Sequence, residues 1–352
     1  MRTLGERIKQ ARMLKNYTLR SLAGKTGVTH QAVSKYERGL DIPSSQVLLR
    51  LSKALDVTME YFFREDAVEV KDVSFRKHRS KLSQKDQNII IAKVKDCSER
   101  YLELENIVAI SSSKFYWPKN IDRSVSSMDK IEEQAADLRN EWRLGFDPIE
   151  NVVNLLEDNG IKVIIIEAHK DFDALAYSAN GNPVIVVKKG ILGDRQRFNL
   201  CHELGHLFLQ TTESIDAEKA AHRFAGAFLV PKDTVLAELG HNRRYIDPKE
   251  LYLLKHKYGL SMQAWVFRAH DLTIISETTF KKLLGLFRKN NWHIKEPDQQ
   301  IPAEEPKRRQ QLVWKALAED IISESRAAEL MGKTLFQFRE ERRSEGIQTG
   351  GG

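Results

Sequence analysis

The 352-residue chain has little cysteine: Cys97 and Cys201 are too few for a disulfide framework and fit a reducing compartment. It has no apolar run approaching the ~20 residues that a membrane span needs. Its start, MRTLGERIKQARML, lacks the apolar core of a secretory signal. These absences argue against a membrane protein and a disulfide-stapled secreted scaffold, and the expected location is the cytoplasm. No internal repeat or low-complexity tract is evident. Net charge is also missing from most of the chain. Residues 1–64 carry 12 Lys/Arg against 5 Asp/Glu, whereas the remaining 288 residues carry 44 against 44. The formal +7 therefore lies wholly in the first segment, as expected of a DNA-binding module.

What is present falls into four parts. Residues 1–64 read as short helices, with Leu4, Ile8, Ala11 and Leu14 at helical spacing and a later helix capped by a serine after Pro43. Residues 65–127 read as a charged connector and a helix with one narrow apolar stripe that could pair two copies, ending in a linker at 111–122. Residues 128–295 have a mixed α/β texture: a helix at about 128–143, a strand IKVIIIE at 161–167, and two strand-like runs joined by Asn180-Gly181, a hairpin signal. Residues 296–352 read as helical with a disordered tail. The fold class is therefore α+β, with an all-α N-terminal domain and a mostly helical C-terminal region.

In TLRSLAGKTGVTHQAVSKYERG a short helix, a turn at Gly27 and a second helix capped by Thr29 make a helix-turn-helix. Val28, Val33 and Tyr36 point to the core. His30, Gln31, Ser34 and Lys35 are then left on the outer face, able to meet base edges in a major groove. Arg20, Lys25 and Arg38 flank that face and can hold phosphates. Residues 4–63 closely resemble the lambda-repressor-like, or XRE, family, which implies a double-stranded DNA operator as partner. Paired half-sites would make the chain a homodimer.

RQRFNLCHELGHLFLQ places His202 and His206 four apart, on one face of a helix, with Glu203 beside the first. Two imidazoles on a well-buried helix suit a single zinc ion, one per chain, with manganese as the alternative occupant. Glu203 can act as general base toward a water. A random H-E-x-x-H would arise in roughly two such chains per hundred, so the motif needs a third donor. Glu218 in DAEKAAHRFAGAFLVP is the candidate; Asp216, which fits a helix N-cap, and His222, one turn further on, are the alternatives.

These two segments, with the stretches before them from residue 128 and after them to about 300, resemble the ImmA/IrrE family of zinc metallopeptidases. The resemblance implies a zincin-like domain with a small sheet, ligands His202, His206 and Glu218, and Glu203 as general base. Cys201 and His222 depart from the family pattern, in which alanine and asparagine are usual. Cys201 reads as a small packing group, and His222 as a neighbour of Glu218. The implied activity is cleavage of a partner repressor or antitoxin, relieving repression in stress response or mobile-element control. Its substrate would be held as an extended peptide along the hairpin near 173–188. Tyr177, Arg195 and Arg197 are possible oxyanion stabilisers, with structural roles favoured for each. The alternatives are an antitoxin-like or ligand-sensing regulator that does not cut, and self-cleavage near 111–122. The stretch 318–340 has helix-turn-helix-like spacing, with Ala327, Ala328, Leu330 and Met331 as core; packing is favoured over DNA contact there.

Overall fold

The computed structural model describes residues 4–63, 70–71, 82–108 and 115–344. The tail expected at 345–352, most of the connector at 65–81, and residues 111–114 of the linker lie outside the described residues.

The first unit contains α1 (Leu4–Leu14), α2 (Leu19–Thr26), α3 (His30–Glu37) and α4 (Ser45–Leu55), then a 3-10 turn at Glu60–Phe63. Its helices start where the sequence offers caps: the Thr18, Thr29 and Ser44 side chains accept from the backbone N–H of Ser21, Ala32 and Val47. Gly27 takes φ 65° to close the turn. Ile8, Leu22, Val33, Leu51 and Leu55 are fully buried and form a separate small core.

The connector helix α5 (Gln84–Ile107) is an internal member of the fold, not a single-striped spacer. Ile90 and Val94 pack on the sheet, while Tyr101 and Leu104 pack on the C-terminal helices. Three of its charged residues, Asp96, Glu99 and Glu105, are also inside. Glu99 bonds Arg7 of α1 at 2.6 Å, with Arg7 only 1% exposed. Glu105 bonds Lys162 of the sheet at 3.1 Å.

Four strands make the sheet, in the order β1 (Val70–Lys71), β4 (Ala174–Ala179), β5 (Asn182–Lys188) and β3 (Lys162–Ile166). β4 and β5 are antiparallel around Asn180-Gly181, whose φ angles of 50° and 80° fit the two-residue hairpin. β3 and β5 are parallel. β2 (Ser124–Val125) pairs with β6 (Gln210–Thr211).

Around the sheet lie α6 (Met128–Glu141), α7 (Val152–Asp158), α8 (Gly193–Phe208), α9 (Ala217–Leu229), α10 (Lys232–Leu239), α11 (Pro248–Tyr258), α12 (Met262–Asp271) and α13 (Glu277–Lys289). α14 (Arg308–Ala318), α15 (Glu324–Met331) and α16 (Leu335–Ser344) share a further core with the second half of α5. No helix among the described residues is long and apolar enough to cross a membrane.

Two segments pack where the sequence suggested a boundary or a linker. Glu296 accepts from the N–H groups of Met262 and Gln263 and binds buried Lys255, and Glu304 binds Arg197. Residues 296–304 thus lie against the α/β core rather than with the terminal helices. Within 115–122, Trp117 packs edge-on against Phe208 at 5.4 Å.

Candidate metal centre and nucleic-acid interface

Helix α8 is fixed at both ends before its chemistry begins. At its start the Gly193 N–H donates to the Ile301 carbonyl at 2.9 Å. At its end Arg123 donates to the carbonyls of Phe208 (2.6 Å) and Leu207 (2.8 Å), satisfying acceptors that a helix terminus leaves open. Midway, Gly205 lets α9 come close: a Cβ there would stand 3.2 Å from the Ala221 backbone and from the Phe224 ring. Asp216 caps α9 by accepting from the N–H of Glu218 and Lys219, as its sequence position suggested.

This close approach brings three donors together. His202 Nε2 and His206 Nε2 are 3.1 Å apart, and Glu218 oxygens lie 3.5 Å from the first and 3.3 Å from the second. A tetrahedral zinc with bonds of about 2.0–2.1 Å requires donors about 3.3 Å apart. The three fit that requirement without rearrangement. Hydrogen bonding to the His202 and His206 rings holds the Glu218 carboxyl far below the usual carboxylate range. Among the described residues this is the only group of three or more His, Cys, Asp or Glu side chains placed to share an ion.

His222 is not in that group. Its ring stacks on Phe198 (5.6 Å) and stands 4.4 Å from the His202 ring, forming a wall. Beyond the wall lies a cleft of ≈ 780 Å³, also lined by Arg223, Phe267, Asp271 and Trp292. Its charges are tied together: Glu132 of α6 holds Arg268 of α12 by two bonds and Arg223 of α9 by a third. Sequence reasoning missed this cleft because its lining comes from distant helices. Glu203 is half-buried on α8, between the two histidines in sequence.

The remaining suggestions resolve as packing. Cys201 is fully buried, and burial pushes its thiol up to about 12, so it is a small core group. Tyr177 is buried and bonds Ser98; Arg197 is buried on Glu304 and the Ile149 carbonyl. Arg195 pairs with Asp173 at 2.7 Å near the surface. The hairpin is not an open edge either, since Ala174, Leu175, Ala176 and Tyr177 are at most 8% exposed. A peptide cannot add to that strand without displacing what covers it.

On the first unit, Arg20, Lys25, His30, Gln31, Lys35 and Arg38 are exposed and Ser34 is half-buried. All four residues expected to face the groove lie on α3, with only Val33 of that helix fully buried. The Lys25 ammonium sits 5.2 Å over the Tyr17 ring, which steadies it at the edge of the face.

A helix-turn-helix family profile matches residues 8–62, and a profile described as IrrE N-terminal-like domain matches residues 156–270. The chain is 32% identical over 94 residues to the HTH-type transcriptional regulator ImmR of Bacillus subtilis (strain 168), which spans 27% of this chain and 69% of that protein. It is 43% identical over 63 residues to the HTH-type transcriptional regulator SinR of Bacillus licheniformis, covering 18% of this chain and 57% of SinR. It is 40% identical over 62 residues to the uncharacterized regulator y4wC of Sinorhizobium fredii, covering 18% of this chain and 43% of that protein. The match thus spans only about half the length of the last two relatives.

Proposed function

We propose that this chain, which belongs to the XRE-type helix-turn-helix transcriptional regulators and carries an IrrE N-terminal-like domain, is a DNA-bound zinc endopeptidase. The observation that carries the peptidase reading is the triangle of His202, His206 and Glu218 donors, 3.1–3.5 Å on each side. Two histidines and one carboxylate leave a fourth position for solvent, as catalytic sites do and closed structural sites do not.

His202, His206 and Glu218 would hold the ion, and Asp216 fixes the helix end that presents Glu218. When bound, zinc supplies a Lewis acid for a peptide carbonyl and makes a water more acidic. Glu203 takes a proton from the attacking water and delivers it to the leaving amine. His222 and Phe198 border the substrate on the cleft side. Base edges are met by His30, Gln31, Ser34 and Lys35, and phosphates by Arg20, Lys25 and Arg38. The substrate in this reading is a partner repressor or antitoxin, and the chain acts as a homodimer on paired half-sites.

The test is incubation of the zinc-loaded protein with candidate partner repressors, using Glu203→Gln as control. Cleavage by the parent chain alone supports the reading; one zinc per chain with no hydrolysis sinks it. A second reading has an observation of its own. The covered hairpin and the aromatic-lined cleft suit a small apolar ligand better than an extended peptide, so the domain could sense without cutting. In that case Glu203→Gln leaves regulation unchanged.

A further inference from the structure

The last three helices repeat the order, caps and turn of the first three, although α1 packs on α3 whereas α14 packs on α15. Helix α2 starts after the Thr18 cap, runs eight residues and stops at Gly27 (φ 65°); α15 starts after the Ser323 cap, runs eight residues and stops at Gly332 (φ 70°). Two residues later Thr29 caps α3 and Thr334 caps α16, accepting from Ala32 N–H (3.1 Å) and Gln337 N–H (3.2 Å). Both stretches are offset by 305 residues, and α1 and α14 are each eleven residues long. The core follows the same offset. Ile8, Ala11, Leu22, Ala23 and Val33 correspond to Val313, Ala316, Ala327, Ala328 and Phe338, all at most 5% exposed. As in α3, one residue of α16 is fully inside, with Tyr36 and Leu335 half-buried against the respective cores.

Charge follows the same division. Residues 306–344 carry 9 Lys/Arg against 6 Asp/Glu; outside this unit and the first one, the chain carries 35 against 38. The neutral remainder seen in the sequence is thus a basic unit offset by an acidic body. The two units are also neighbours. Arg7 of the first binds Glu99, and Arg326 of the second binds Glu103, one turn further along α5 and about 6 Å away.

We propose that α14–α16 is a second unit that grips double-stranded DNA, with α16 in the role of α3. Arg339 and Arg343 stand where Ser34 and Arg38 stand in the first unit, 54% and 80% exposed. Phe336, 73% exposed at the position of Gln31, can lie against a thymine methyl. Without DNA, Glu324 engages Arg339 (2.9 Å) and Arg342 (2.6 Å), and Glu340 engages Arg343. Phosphate oxygens take over those arginines on binding. This inference extends the DNA contact of the first unit and does not depend on peptidase activity.

The experiment measures affinity of the full chain for a 30-bp random-sequence duplex from about 50 to 200 mM salt, where each phosphate contact adds about 0.9 to the slope of log K against log salt. Arg339→Ala with Arg343→Ala is expected to lower the slope by about 1.8, and the paired lysine substitutions to restore it, which a merely misfolded unit would not do. Lys35→Ala with Arg38→Ala probes the first unit separately. An unchanged slope in the α16 alanine variant overturns the proposal, and an accompanying loss of binding to a partner protein would give α16 a protein surface instead. If the slope falls with the α16 variant and not with the α3 variant, the second unit stands and the assignment of the first fails.

Discussion

The candidate metal centre and the α3 face solve opposite problems with the same device, a helix held by its neighbours. At the centre, α8 and α9 are pressed together at Gly205 so that three donors converge within 3.5 Å. On α3, only Val33 is fully buried, and His30, Gln31 and Lys35 are exposed. Convergence makes function depend on single atoms; dispersal shares it among many contacts. Substitutions at the two places should therefore differ in size as well as in kind.

The largest effect is expected from Glu203→Gln, which keeps the ion and removes the base. Cleavage should fall on the order of 10²–10⁴-fold, with metal content by mass spectrometry and DNA affinity unchanged; parallel loss of zinc would show that Glu203 supports the site structurally. Next comes Glu99→Ala, which removes the carboxylate that pairs with buried Arg7 at the junction between the two regions. Urea unfolding should show a loss of about 3–5 kcal/mol; a loss below about 1 kcal/mol would mean the first unit is only loosely attached. Lys35→Ala removes one base-edge contact and should weaken a selected operator by about 1–3 kcal/mol with relaxed preference at one position, read by competition binding. The smallest is Arg20→Ala: a uniform loss across sequences and a salt slope shallower by about 0.9. If Arg20→Ala changed sequence preference instead, the division between groove face and phosphate flank would be wrong.

Local signals in the sequence foretold local structure. Asn180-Gly181, the Thr29 cap and the four-residue histidine spacing each act within one turn, so the residues themselves carry the geometry. Glu218 needed more, because its place depends on α9 packing against Gly205. The connector helix was misread for a physical reason: Arg7, Glu99, Glu105 and Lys162 look like surface residues until each finds its partner inside. Buried ion pairs erase the apolar stripe by which an internal helix is known. The helix-turn-helix-like spacing of 318–340 was legible, but its correspondence with α1–α3 was not. It is kept by caps, a glycine and small core positions, and Leu22 against Ala327 or Val33 against Phe338 share no letter. The cleft beside His222 is legible only after α6, α9 and α12 are assembled around Glu132.

The 24-residue α5 extends about 36 Å as one stiff rod. Arg7 of the first unit and Arg326 of α14–α16 sit on successive turns of it, so both units are held to the same rod. If both units grip DNA as proposed, the distance and phase between their contacts on a duplex are set by that rod.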